Sequence, residues 1–241
     1  MKNSLSVGKN NTQIICLMKY KLIVVGNIST GKSSILNRFV NETFEEDYQA
    51  TIGLDFQSKN ITIHDQDVRL ILYDTAGQEK FRSLIPMYIR EAQIILLVYD
   101  ISNRESFESL PKWFSDILDV KNNEAVFVLV GNKIDLENER QVSTEEGKKF
   151  ALEKNLIFQE VSAKNGTNFE ELFYNQIFEA VYNKFKSDFD RREKMEENVY
   201  EQENNNNNEG NNGQNMENNN NKVKLDMDNN NNIKKKKKGC C

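Results

Sequence analysis

The chain has 241 residues, a formal net charge of −5 and three cysteines. That length holds one domain of ordinary size, roughly 100–150 residues, with material left over. The acidic balance argues against a general nucleic-acid binder. Cys16, Cys240 and Cys241 lie too near the ends to staple a core, which points to a reducing compartment.

Residues 1–18 form an N-terminal extension, with Met18 as an alternative start. Its apolar run Ile14–Met18 is too short for a signal-peptide core or a membrane span, so this end reads as cytosolic. Composition changes near Asp188: before it apolar runs alternate with charged helical stretches, and after it Asn, Glu and Lys dominate. The expected organisation is a folded domain over 19–188, a disordered Asn-rich linker over 189–233 and a basic C-terminus over 234–241. A core of that size stands without disulfides.

Tyr20–Val25 is a short β-branched run ending at Gly26, and reads as a buried strand feeding a loop. Ile35, Leu36, Phe39 and Val40 then carry helical spacing over Ser33–Val40, and residues 41–52 are polar and irregular. Phe56–His64 and Val68–Tyr73 read as strands joined by a turn at Asp65–Gln66–Asp67. Gln93–Tyr99 and Ala125–Val130 are continuous apolar strands of the kind buried on both faces of a parallel sheet. Leu156–Val161 supplies one more.

Helical patterns cover Pro111–Val120, Thr144–Glu153 and Phe169–Phe185. Pro111 suits a first helical position, and Ser143 with Glu146 forms a capping box. Strands alternating with helices, plus one hairpin, predict an α/β fold with a mostly parallel sheet. His64 is expected at a strand end facing solvent. Trp113 is expected to pack with Phe114 and Leu118.

Gly26–Asn27–Ile28–Ser29–Thr30–Gly31–Lys32–Ser33 fits the pattern G-x-x-x-x-G-K-[ST], with a strand before it and a helix after it. Such a loop aims successive backbone N–H groups at an anion beside a helix N-terminus. Lys32 can reach the β- and γ-phosphates of a nucleotide, and the Ser33 hydroxyl can ligate Mg²⁺. The loop alone does not separate ATP from GTP. Asn132–Lys133–Ile134–Asp135 does, because the Asp135 carboxylate can accept from guanine's N1–H and exocyclic amine. Adenine has no matching donor pair, a mismatch worth ~10⁴–10⁵-fold. Ser162–Ala163–Lys164, after the next strand, is set to present a backbone N–H to the guanine carbonyl.

Asp74–Thr75–Ala76–Gly77–Gln78–Glu79 follows a strand. Asp74 can hold Mg²⁺ through water, Gly77 can bring its N–H to the γ-phosphate, and Gln78 can orient the attacking water. The Thr51 hydroxyl can complete the Mg²⁺ shell when a γ-phosphate is present.

With these motifs in order, Tyr20–Val181 resembles the Ras superfamily of small GTPases. Within it, Ile52–Phe56, Arg69–Tyr73, Lys80–Leu84 and Leu97–Ile101 are similar to Rab segments, and Tyr48–Gly53 with Phe81–Arg90 look most like the Golgi, Rab-six-like subfamily. The resemblance implies a P-loop GTPase fold, a six-stranded sheet with one antiparallel strand and helices on both faces. It implies switch loops near 41–54 and 75–90, a nucleotide site that also uses Gly26, Ser29, Thr30, Gly31 and Ser34, Phe44 packed on the guanine ring, and catalysis by Gln78 and Lys32. Phe56, Tyr73 and Tyr88 match the aromatic triad read by Rab effectors, with Tyr73 departing from the usual Trp.

It further implies a monomer served by an exchange factor, a GTPase-activating protein, a GDP-dissociation inhibitor and the Rab prenylation machinery. The place implied is the cytoplasmic face of Golgi or vesicle membranes, with a cytosolic pool. Cys240 and Cys241 resemble the prenylated cysteine pair of Rabs, and the basic run Lys234–Lys238 suits an anionic leaflet. Ile28 stands where Ras has Gly and Rabs commonly have Ser or Gln. A branched side chain there either crowds Gln78, the attacking water and an arginine finger, which is the expectation, or points to solvent and does little. A hydrolysis-poor, GTP-held scaffold is therefore the alternative reading. Asn27 replaces a usual acid, a change expected to be minor.

Overall fold

Alternating apolar residues of β1 (Met18–Val25) divide between two cores, and this division organises the molecule. Leu22 and Val24 join one apolar cluster, and Ile23 and Val25 join the other. The computed structural model describes residues 18–44, 54–75, 85–121, 124–195 and 197. The chain divides into two units, Met1–Glu196 and Glu197–Cys241, and the fold belongs to the first.

β1 runs between β3 (Gln66–Thr75) and β4 (Ile94–Asp100), and the six-stranded sheet has the order β2-β3-β1-β4-β5-β6. β2 (Leu54–Ile63) pairs antiparallel with β3, and the other neighbours, through β5 (Val126–Asn132) and β6 (Ile157–Glu160), pair in parallel. This is the expected α/β architecture. All seven residues of β4 are buried, as a continuous apolar run between two covered faces requires.

Helices cover both faces. α1 (Lys32–Asn41) and the C-terminal helices pack on the Leu22 side. α2 (Ile85–Glu91), α4 (Leu110–Leu118) and α5 (Thr144–Lys154) contribute Ile89, Trp113, Ile117 and Ala151 to the other cluster, and α3 (Arg104–Glu108) lies between α2 and α4 in the chain. α5 opens on the expected capping box, with Ser143 and Glu146 each accepting from the other's backbone N–H. Pro111 sits one position inside the start of α4, because Leu110 is already helical.

The hairpin turn differs from expectation. β2 ends at Ile63, β3 starts at Gln66, and the central residues His64 and Asp65 have φ of 46° and 63°. Paired positive φ values make a tight turn whose twist matches the strands, so Gln66 and Asp67 join the ladder. The C-terminal helix also differs. Glu171–Phe178 is π-helical before α6 (Glu179–Lys184), and Leu172, Phe173, Ile177 and Phe178 are all buried. These pairs lie five apart. An α-helix would turn them about 140° away from each other, whereas i→i+5 bonding brings them to one face.

Helix then resumes over 186–195, past the edge expected at Asp188. Phe189 is buried, stacks on Tyr20 with centroids 5.9 Å apart, and its carbonyl accepts from Gln66 Nε2 at 3.1 Å. Among the described residues no helix is long and apolar enough to cross a membrane.

Candidate nucleotide site

The loop after β1 is held in shape by two glycines. Gly26 has φ 143° and a Cβ there would collide with the Val98 carbonyl; Gly31 has φ 89° and a Cβ would collide with the Asn132 side chain. Both conformations favour glycine, and both close approaches demand it. Gly31 caps α1 without a side-chain hydrogen bond. The first turn of the ten-residue helix α1 therefore has the open N-terminus an anion site uses. Ser29 adds a left-handed residue at φ 62°, and the Thr30 hydroxyl donates to the Asn27 carbonyl at 3.0 Å.

Lys32 is buried and its Nζ donates to the same Asn27 carbonyl at 2.7 Å. Burial pushes its ammonium down to about 8, against the opposing pull of the Asp74 carboxylate. A buried cation of this kind is well matched to a polyphosphate. Asp74 is buried at the end of β3, and the next residue, Thr75, donates its hydroxyl to the Val24 carbonyl at 2.6 Å, tying β3 to the loop's entry strand.

Ser33 and Asp74 are hard oxygen donors. Among the described residues no group of three or more His, Cys, Asp or Glu side chains could hold a metal alone. Hard oxygen donors suit Mg²⁺, which takes few protein ligands and completes its shell with phosphate and water. Ser34 lies in the first turn of α1, and Phe44 is half-buried just beyond that helix.

The ends of β5 and β6 form the second half of the site. Asn132 is buried; its Nδ2 donates to the Thr30 carbonyl at 2.9 Å and its Oδ1 accepts from Ala163 N–H at 3.1 Å. One side chain thus joins the phosphate loop to the Ser162–Lys164 loop. The Ala163 N–H, one candidate donor to a guanine carbonyl, points to Asn132. Lys133 adopts φ 71° and its Nζ pairs with buried Asp100 at 2.6 Å. Asp135 is exposed and its Oδ1 accepts from the Ser162 hydroxyl at 2.5 Å.

Four contacts were not legible in the sequence. The Asn27 side chain, expected to be minor, accepts from Trp113 Nε1 at 2.8 Å and from the Ser109 hydroxyl at 3.0 Å, and so clamps the loop to α4. Trp113 is therefore both packed and hydrogen-bonded. Arg38 reaches from α1 to the Ala163 and Lys164 carbonyls. A polar residue in a motif position and a basic residue in a helix carry no signal of such distant partners. Ile28 is 48% exposed on the loop.

Phe56 faces Tyr73 across the β2–β3 ladder, and Tyr73 packs on Tyr88 with centroids 5.1 Å apart. The three aromatics thus come from one region of chain geometry, and Phe56 is 71% exposed. Thr51, Gly77, Gln78, Cys240 and Cys241 lie outside the described residues.

A phosphate-type loop at the head of α1, facing a second loop pair at the ends of β5 and β6, defines a nucleotide-binding α/β protein of the P-loop class. A family model described as the Ras family matches residues 21–183, more than half of the chain, and the chain belongs to this family. It is a GTP-binding small GTPase. Ras-family proteins bind GTP and GDP, generally with Mg²⁺, and answer to regulators that set their nucleotide state.

Proposed function

We propose that the chain is a Rab-type switch that hydrolyses GTP and recruits effectors at the cytoplasmic face of intracellular membranes. The observation that carries this reading is the Phe56–Tyr73–Tyr88 cluster. A large, exposed aromatic beside two packed tyrosines is a surface built for a partner. The resemblance to Golgi-type Rabs supports vesicle transport, and the paired terminal cysteines behind Lys234–Lys238 support attachment through two prenyl groups.

In this reading Gly26, Ser29, Thr30, Gly31, Lys32, Ser33 and Ser34 hold the phosphates. Asn132, Lys133, Asp135 and the Ser162–Ala163–Lys164 loop select guanine, and Phe44 packs on the base. Ser33, Thr51 and Asp74 would hold Mg²⁺, which neutralises phosphate charge when bound. Gln78 orients the water that attacks the γ-phosphorus, the bond to the β–γ bridging oxygen breaks, and GDP and phosphate result. Gly77 presents its N–H to the γ-phosphate. No covalent intermediate is involved.

Two assays test the reading. The Rab prenylation machinery should modify the full chain and leave the Cys240→Ser/Cys241→Ser variant untouched; an unmodified natural chain would sink the Rab assignment. Single-turnover phosphate release from GTP-loaded protein should be slow alone and accelerated by a Rab-activating catalytic domain.

A hydrolysis-poor scaffold is the second reading, and the branched Ile28 side chain on the phosphate loop favours it. Ile28→Gly should raise the single-turnover rate at least tenfold if that side chain crowds the water, on the order of 1.4 kcal/mol of barrier. An unchanged rate would remove Ile28 from the account.

A further inference from the structure

We infer that Arg38 is a positioning residue for the guanine base: its guanidinium holds the Ser162–Lys164 loop in the posture that meets the ring. The inference rests on the reading of that loop as the base loop. Arg38 lies in α1 yet bonds across 125 residues of sequence, from Nε to the Ala163 carbonyl at 2.9 Å. Its Nη2 donates to the next carbonyl, Lys164, at 2.5 Å, and Nη1 donates to the Glu42 carbonyl at 2.6 Å. An arginine serving only to cap α1 would direct its fork at Glu42 and the helix's last carbonyls. Here two of the three bonds leave the helix for successive carbonyls of one loop. A planar, pre-organised fork fixes direction as well as distance, which a lysine's single ammonium does not.

The loop is gripped from its other side too. Ala163 is buried, and its N–H goes to Asn132, whose amide reaches the Thr30 carbonyl. Thr30 precedes Gly31, the residue that opens α1. The hydrogen bonds therefore close a circuit: phosphate loop, α1, Arg38, base loop, Asn132 and back to the phosphate loop. α1 is the common reference for both ends of the nucleotide, and Arg38 carries two side-chain hydrogen bonds from it to the base loop.

The consequence is kinetic. With Arg38 removed, the base loop keeps its sequence and its Asn132 bond but loses the member that sets its distance from α1. Guanine then leaves faster while phosphate contacts persist.

The test uses the full chain loaded with fluorescent GDP, and with the matching diphosphate of 2-aminopurine riboside, which lacks the ring carbonyl and with it the N1–H. Arg38→Ala should release GDP on the order of 10- to 100-fold faster, the scale of a small misplacement at a binding site. Arg38→Lys, which keeps the charge and loses the fork, should fall between. The carbonyl-free analogue, already fast from the natural chain, should be accelerated less than about threefold by either substitution.

Equal acceleration of both ligands would mean general loosening of the fold and would overturn the inference, as would unchanged GDP release. If Arg38→Ala does not fold, the same comparison in Arg38→Lys decides. Asp135→Ala separates the two layers. Unchanged GDP release in that variant overturns the guanine-site reading itself, whereas fast release there with ordinary release in the Arg38 variants overturns the role of Arg38 alone.

Discussion

Lys32 illustrates a residue placed against the interest of the empty fold. Its ammonium is buried, held by one backbone carbonyl at 2.7 Å, and shifted downward by desolvation. An ammonium buried with a single hydrogen bond costs free energy that an apolar side chain of similar volume does not. Desolvation outweighs the attraction of Asp74, as the downward shift shows, so Lys32→Met should raise the stability of nucleotide-free protein by about 1–2 kcal/mol in urea denaturation. The same change should weaken GDP binding by roughly 100-fold or more, since a buried charge partner is worth 2–5 kcal/mol at an interface. Loss of both stability and affinity would show that the lysine serves the fold as well as the ligand. The sequence motif identified Lys32, Asn132 and Asp135 because chemistry restricts those positions to few residue types. It could not identify Asn27, whose value lies in a hydrogen bond to Trp113, 86 positions away.

At the scale of elements, the strands were legible because buried parallel strands are unbroken apolar runs, and β1, β4 and β5 appear within two residues of their expected ends. α2 and α3 were not. They span seven and five residues, too few for a helical period to show, and α3 depends on the Asn103 side chain accepting from Ser106 N–H. α5 offers two tests. Gly147 lies in its interior, where Ala would ordinarily gain about 1 kcal/mol. A Cβ there would sit 2.6 Å from the Tyr99 hydroxyl and 2.7 Å from the Phe158 ring, and forced overlap in a packed core costs about 1–3 kcal/mol. Overlap should win, so Gly147→Ala should lower stability in chemical denaturation; a rise would mean the neighbours yield freely.

Glu146 supplies the pH test. Its carboxyl is held down to about 2, first by Arg104 and then by the backbone and hydroxyl of Ser143. A depressed folded pKa means that this contribution is present above the ordinary value of 4.5 and is lost as pH falls toward 2. Glu146→Gln should lower stability by a constant amount above pH 5 or so, and the two chains should converge near pH 2. Parallel curves throughout would show that the Arg104–Glu146 pair does not govern the acid limb.

For the whole molecule, the family match ends at residue 183, while the packed chain continues. The residues after Asp188 are mostly Asn, Glu and Lys, so composition alone marked that point as the edge of the fold. Phe189 opens that stretch, and it reaches the core beside Tyr20 and Tyr182. His64, expected simply to face solvent, reinforces this end by stacking on Tyr182 at 3.7 Å and pairing with Glu179 at 2.9 Å. Phe189→Ala should destabilise the protein by about 3–5 kcal/mol; a change below 1 kcal/mol would place that helix outside the cooperative unit. Trp113 gives these measurements a particular character, because it is the chain's sole tryptophan and its indole is tied to Asn27. Its emission is a natural optical gauge of the phosphate loop and of one side of the sheet. The face bearing Phe189 is silent in that signal. Fluorescence and circular dichroism curves that separate would therefore locate the first part of the molecule to melt, without any dye or label.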